Sequence, residues 1–358
     1  MKGKHTTLRL AAVLLALATL TLLAGACSSG GSANQAENEA PAESAEAAES
    51  AESTETAWTS NLGRELNIGI VGAACELHFY AAEKLGLYEK AGYKVNWVHV
   101  GNEQTAMIET GTVDVTDGVL DHWLKPIENG LNIKATIGLH QGCMGVVVNG
   151  DSPYQTIEDL KGQTIGALNA SGVGNYFWRL LLLEGYRPQD DFKWIQLTGE
   201  AAIAALENGE IAAISGGDTG FWPKVQSGDL RFISRQSTDP QLADQTCCVL
   251  VFNTKFSEDY PEDTKKLTEI LYEASVYLQE KENIAEIVDY GYEKGLILSG
   301  DPATAYEVAE SYTWDPGYQI GHDSFESIFK AYQEFDIITK DADPQKVIDR
   351  LFIKYDEF

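Results

Sequence analysis

Basic side chains are scarce in this chain of 358 residues: 26 lysines and arginines stand against 54 aspartates and glutamates, for a formal charge of -28. A surface of that sign repels nucleic-acid phosphates and anionic lipid instead of releasing their counterions, so both are excluded as partners. Enzyme signatures are missing too. No Walker loop, HExxH helix or serine–histidine–acid spacing occurs, which removes the commonest hydrolase readings. The apolar run at residues 10–24 falls short of the roughly 20 residues a membrane span needs. What is present is a globular composition, 44% hydrophobic and 10% aromatic, in a chain long enough for two ordinary domains with a sizeable core.

The N-terminal segment reads as a processing signal. Lys2, Lys4 and Arg9 form a basic region ahead of the apolar run, which ends Leu23-Ala24-Gly25-Ala26-Cys27. Small residues just before a cysteine resemble the lipobox of bacterial lipoproteins, with the leucine one place further upstream than in the commonest pattern. That resemblance implies cleavage before Cys27 and its diacylation. The protein is then held at the cell membrane by the lipid anchor alone, facing the extracytoplasmic side. Ordinary cleavage after an Ala-x-Ala-like site, leaving Cys27 a free thiol, is the alternative. Residues 1–27 are assigned to this signal and lipobox. Residues 28–63, rich in Ser, Gly, Ala and Glu with almost no large apolar side chain, are assigned to a disordered acidic tether.

From Arg64 on, apolar runs of strand length alternate with helical patterns, the signature of α/β architecture with parallel sheets. The pattern predicts strands at residues 66–71, 94–100, 113–117 and 133–139, with helices at 79–90 and 104–110. A second series predicts strands at 144–149, 164–168, 193–197, 211–215 and 230–234, with helices at 156–161, 174–184 and 201–208. A further strand at 249–253 precedes a mainly helical end that begins at 261–279. The repetition implies two doubly wound lobes joined by a two-strand hinge and finished by a helical C-terminal segment. Lobe one takes residues 64–146 with 250–358, and lobe two takes residues 147–249.

Five stretches carry a family resemblance: Cys75-Glu76-Leu77-His78-Phe79-Tyr80-Ala81-Ala82-Glu83-Lys84-Leu85-Gly86-Leu87-Tyr88, Asp114-Val115-Thr116-Asp117-Gly118, Gly138-Leu139-His140-Gln141-Gly142-Cys143, Ile157-Glu158-Asp159-Leu160-Lys161-Gly162-Gln163-Thr164-Ile165-Gly166 and Ala204-Ala205-Leu206-Glu207-Asn208-Gly209-Glu210-Ile211. Together the chain from Arg64 onward resembles the nitrate/sulfonate/taurine (NitT/TauT) group of periplasmic binding proteins, which also includes binders of thiamine pyrimidine precursors. The resemblance implies a periplasmic-binding-protein-like type II fold. It implies the extracytoplasmic solute-binding component of an ABC importer, not an enzyme and without a cofactor. Such a component works as a monomer, closes its hinge on a small-molecule ligand, and delivers it to permease and ATPase subunits.

In open α/β sheets ligands sit beyond the carboxyl ends of the strands, where helix N–H groups are unpaired. On that map the candidate ligand-binding residues are Cys75, Glu76, His78, Phe79, Asp117, Gly118, Asp121, His140, Cys143, Ser171, Gly172, Val173, Asp218, Cys247 and Cys248. The small residues of the loop at 169–174 permit close approach of backbone to ligand, or form a plain strand-to-helix turn.

The cysteines after Cys27 fall at functional turns, and three readings stay open. Cys143 pairs with Cys247 or Cys248 as a disulfide between the hinge strands. Alternatively Cys75, Cys143, Cys247 and Cys248, with His78 or His140, hold a soft metal or organometal species for import. As a third reading they are inert buried thiols. An enzymatic alternative rests on Thr246-Cys247-Cys248-Val249-Leu250. That run is similar to the cysteine cluster of the eukaryotic pyrimidine synthase of this fold, which uses iron, but it lacks the third cysteine.

Glu76, Asp117, Asp121 and Asp218 stand in the candidate loops with no lysine or arginine among the immediate loop residues. A carboxylate 4 Å from a bound anion costs about 4 kcal/mol at an effective dielectric near 20. The loops therefore favour a cationic, zwitterionic or neutral ring ligand. Phe79, Tyr80, Trp123, Tyr176, Phe177 and Trp222 are either stacking partners for it or core. Asp121 and Asp218 double as helix caps, and His99 and His122 read as packed or solvated.

Overall fold

The computed structural model describes residues 59–167 and 176–358. The signal segment, Cys27, most of the tether, and Ser171, Gly172 and Val173 lie outside the described residues.

Apolar runs such as Leu66-Asn67-Ile68-Gly69-Ile70 suit strands covered on both faces, and they build two five-stranded sheets. The first contains β1 (Leu66–Ile70), β2 (Val95–His99), β3 (Val115–Val119), β4 (Ile133–Gln141) and β10 (Thr246–Asn253), in the order β2-β1-β3-β10-β4. The second contains β5 (Met144–Asn149), β6 (Thr164–Ala167), β7 (Lys193–Gln196), β8 (Ala213–Gly217) and β9 (Leu230–Arg235), in the order β7-β6-β8-β5-β9. The two orders are equivalent. β1 runs parallel to β2 and β3, as β6 does to β7 and β8. In each sheet the strand arriving from the other, β10 or β5, is antiparallel to both its neighbours.

Gly142 and Cys143 form the first passage between the sheets, and residues 236–245 form the second. Met144 to Val146 therefore pair in the second sheet and Thr246 to Val249 in the first, so each passage lies a few residues before the boundary expected from sequence.

Helices α1 (Leu77–Lys84), α2 (Leu87–Lys90), α3 (Gln104–Thr110) and α4 (Leu120–Glu128) connect strands of the first sheet. Helices α5 (Tyr176–Leu183), α6 (Pro188–Asp191), α7 (Gly199–Glu207) and α8 (Asp218–Ser227) belong with the second. The C-terminal part contributes α9 (Thr254–Asp259), α10 (Pro261–Tyr277), α11 (Lys281–Glu293), α12 (Pro302–Glu310), α13 (Tyr318–Glu334) and α14 (Pro344–Leu351).

Helix ends follow local chemistry. Pro302 and Pro344 occupy the first helical turn, where their missing N–H costs nothing, and Asp301 and Asp343 accept from Thr304 N and Gln345 N at 3.1 Å each. The helix predicted at 79–90 is broken at Gly86, which takes φ 68°. The one predicted at 156–161 is a single 3-10 turn at Glu158–Leu160. There the Asp159 carboxylate accepts from Gln155 N and Thr156 N, and Gly162 at φ 77° turns the chain away.

The C-terminal helices do not all pack on the first sheet's side. α10 and α11 lie on α1, but α12 packs on α8 and α13 on both β4 and α5, so this segment spans both lobes. It also covers the edge of β4, through bridges Gly138–Gly317, Gln141–Thr313 and Ala135–Phe352. α13 comes so close there that a Cβ on Gly321 would sit 2.7 Å from Gly138 N. Among the described residues no helix is long and apolar enough to cross a membrane.

Candidate functional site

Between the sheets lies a cavity of about 390 Å³, at the lower end of the size range of small-molecule sites. Val71, Ala73 and Cys75 after β1, and Val119 and His122 at the β3–α4 junction, form one wall. Thr198, Gly199 and Glu200 after β7, and Ser215 and Thr219 at the β8–α8 junction, form the other. Both walls lie at the carboxyl ends of parallel strands, where open α/β sheets bind ligands. Glu200 is the one charged side chain among the described lining residues.

Glu76 belongs to the turn behind the first wall and is fully buried. Its carboxylate accepts from the backbone N–H groups of Val71, Gly72 and Ala73 at 2.7, 2.8 and 2.9 Å, and from the Tyr80 hydroxyl at 3.0 Å. Those N–H groups would otherwise suit an anion. The protein has filled that seat with its own carboxylate. Burial pushes the Glu76 carboxyl up to about 7, against the pull of these donors.

Two other loop acids meet arginines that are distant in sequence. Asp121 Oδ2 lies 3.3 Å from Arg179 Nη2, both side chains fully buried. Asp218 Oδ2 accepts from Arg235 Nε and Nη2 at 3.0 and 2.8 Å, and Asp218 Oδ1 accepts from the Tyr312 hydroxyl at 2.5 Å. Neither acid is a helix cap; both sit in the first turn, behind Val119 and Gly217 at the cap positions. Among the described residues Asp117 Oδ2 has no hydrogen-bond partner, and it lies 3.6 Å from His78 Nε2. Burial holds that imidazole neutral, with its pKa lowered to about 3.

Of the sequence candidates, Cys75 and Cys143 line the cavity. Glu76, His78, Phe79, Asp117, Asp121, His140, Asp218, Cys247 and Cys248 are buried behind it. Gly118 leaves room for the Trp123 indole, whose atoms would lie 2.7 to 2.9 Å from an added Cβ. The aromatics Phe79, Tyr80, Trp123, Tyr176 and Phe177 are core, whereas Trp222 faces the Arg235 guanidinium at 4.4 Å from its ring centre. His99 is exposed at the end of β2. His122 is on the cavity wall, its Nε2 buried without a partner among the described residues, and burial lowers its pKa to about 4. The sequence signal for it was its place beside Asp121 in the first turn after β3. The second-lobe lining residues Thr198, Gly199 and Glu200 had no such mark.

Four thiols gather where the passages between the sheets meet. Cys143 Sγ lies 2.6 Å from Cys247 Sγ and 3.9 Å from Cys248 Sγ, and neither these three nor Cys75 forms a disulfide. The sulfurs of Cys75, Cys143 and Cys248 and a ring nitrogen of His140 all lie within 4.8 Å of one another. Adjacent residues of a regular strand point to opposite faces, but register shifts between Thr246, Cys248 and Val249 break that alternation and bring two consecutive thiols near Cys143. Cys143 itself is held at φ 111°. A non-glycine residue there costs on the order of 1–3 kcal/mol and persists because its surroundings impose it.

Comparison with known proteins gives consistent results. The sequence model described as NMT1/THI5 like matches residues 76–282. A putative aliphatic sulfonates-binding protein of Bacillus subtilis (strain 168) is 28% identical over 313 residues, covering 81% of this chain and 87% of that one. Among solved structures, the alkanesulfonate-binding protein SsuA of Xanthomonas axonopodis pv. citri, bound to MOPS, superposes with a TM-score of 0.63 at 16% identity, covering 81% of this chain and 98% of its own. The periplasmic nitrate-binding protein NrtA of Synechocystis PCC 6803 gives 0.63 at 12% identity, covering 80% and 86%. The fold is therefore that of the periplasmic binding proteins.

Proposed function

The chain belongs to the NMT1/THI5-like family, and from that premise we propose that it is the extracytoplasmic solute-binding component of an ABC importer, which captures a small molecule in the cavity between its sheets. The observation that carries this reading is the cavity itself, walled on both sides by the carboxyl ends of parallel strands. The sulfonate- and nitrate-binding names of its relatives support the transport role.

The ligand class we infer differs from those names. Glu76 occupies the N–H groups of the first turn, no lysine or arginine lines the described wall, and Arg179 and Arg235 are engaged by Asp121 and Asp218. A neutral, zwitterionic or cationic ligand of modest size fits these walls better than a simple anion. In this reading the lobes close over the ligand because it binds the closed form more tightly. Cys27 carries the lipid anchor; palmitate labelling of the wild type but not of Cys27→Ala is the expected result.

A thermal-shift screen of pyrimidines, amines, amino acids, taurine and alkanesulfonates tests the reading. A true ligand at 100 times its Kd should stabilise by about 2.7 kcal/mol and contract the protein in small-angle scattering. Preference for inorganic anions or alkanesulfonates over every neutral and cationic compound would refute the assigned ligand class. Turnover of a bound compound would refute the transport role.

A further inference from the structure

We propose that Cys75, His140, Cys143 and Cys248 form a binding site for a single thiophilic cation, with Zn²⁺ as the representative, at the junction of the two passages between the sheets. The inference stands apart from the import reading, because it concerns a cation held by side chains in and behind the cavity wall and not the captured solute.

The geometry comes first. Thiolates bind zinc at about 2.3 Å, so two sulfurs of one tetrahedral centre lie roughly 3.8 Å apart. Cys143 and Cys248 are 3.9 Å apart, and all four donor atoms fall within 4.8 Å of one another. The donors come from four places in the chain: the turn after β1, the end of β4, the first passage, and the start of β10. No short-range motif imposes that convergence, so the fold itself creates it.

His140 is the second, independent sign. It is fully buried, and neither ring nitrogen has a nitrogen or oxygen partner among the described residues. Tyr312 stacks on its ring at 5.4 Å between centres, and Trp314 lies 5.1 Å away, so the imidazole is fixed in place. A buried ring whose nearest polar neighbours are thiols makes weaker bonds than it had in water; a metal bond from one nitrogen offsets that loss. The backbone strain at Cys143 and the register shifts in β10 are further distortions that place sulfur atoms in the cluster.

Cys75 is the only partly exposed member, and it lies on the cavity wall. The cation therefore enters from the cavity. On binding, each of the three thiols loses its proton to solvent as its sulfur bonds the metal, and the imidazole binds in its neutral form. Cys247 remains a neighbour of Cys143 outside the ligand set. Because Cys143 lies in the first passage while the other ligands sit on the first sheet's side, the loaded centre ties that passage to β10.

The test is a Co²⁺ titration of the full chain, reduced, metal-stripped and kept anaerobic. One equivalent should give sulfur-to-cobalt charge-transfer absorption with the visible bands of a tetrahedral centre, and Zn²⁺ should displace it. Cys143→Ser and Cys248→Ser should each weaken Co²⁺ binding by at least the roughly 10–100-fold that loss of a mere outer-shell partner costs, while Cys247→Ser retains it. Far-ultraviolet circular dichroism of each metal-free variant establishes that it is folded. Absence of the charge-transfer band in the reduced wild type, unchanged binding in a folded Cys143→Ser, Cys248→Ser double variant, or a Cys143–Cys247 disulfide that reductant fails to open would overturn the proposal. Small-molecule binding by the metal-free protein is a separate readout, so failure of this site leaves the import reading standing.

Discussion

Glu76 shows how one residue can occupy a turn that would otherwise suit an anion. Its carboxylate satisfies the N–H groups of Val71, Gly72 and Ala73, so the turn after β1 offers no positive end to a ligand. Glu76→Gln turns an amide N–H₂ toward those donors and leaves at least one of them unpaired. The expected cost is about 1–3 kcal/mol in urea denaturation, and Glu76→Ala should open a weak site for sulfate or an alkanesulfonate, read by calorimetry. Unchanged stability in both variants would show that the turn does not depend on the carboxylate. Sequence marked Glu76 as a loop acid near the ligand, but it did not disclose this role, because the role depends on a 3-10 turn folding the chain back on itself. The arginines that neutralise Asp121 and Asp218 were equally hidden, since each sits on an element far along the chain. Cys75 and Cys143 were legible as cavity-lining because they follow the carboxyl ends of β1 and β4, and carboxyl ends of parallel strands face the crevice in an open α/β sheet.

At the scale of elements, most strands follow directly from their apolar runs, although β3 and β8 lie two residues further along than expected, at Val115–Val119 and Ala213–Gly217. The helices that begin there carry the cavity-lining residues His122 and Thr219, and in the sequence only Asp121 and Asp218, read as caps, and the early helical place of His122 pointed to them. Pro126 lies inside α4, and Pro223 and Gly220 lie inside α8; such residues argue against a helix until tertiary packing overrides them. The crossing of α13 over β4 was likewise invisible, because it depends on two glycines meeting from distant parts of the chain, Gly138 and Gly321. Gly321→Ala places a methyl against Gly138 N and should destabilise the fold by about 1–3 kcal/mol, with a lower thermal midpoint. A neutral outcome would mean that α13 can draw back from the strand at no cost.

For the whole molecule, the equivalence of the two sheet orders makes two similar lobes out of one chain, with the cavity where their strand ends meet. The sequence pattern conveyed that plan. It did not convey how far the C-terminal helices reach: α12 contacts α8, and the Arg235–Asp218–Tyr312 group ties the end of β9 to the segment after α12. The lobe closure proposed above would work against or with these ties.

The measurement that bears most directly on capture between the lobes is calorimetric titration of a ligand identified by the screen into the wild type and into Gly220→Trp. Gly220 lines the cavity from an exposed position, and nothing lies within 4 Å of a Cβ built there, so the indole meets no neighbouring atom at its root and stands at the mouth of the space assigned to the ligand. The expected result is a wild-type isotherm with one site and loss of binding in the variant, at an unchanged thermal midpoint without ligand. Wild-type affinity in Gly220→Trp would mean that the solute binds elsewhere.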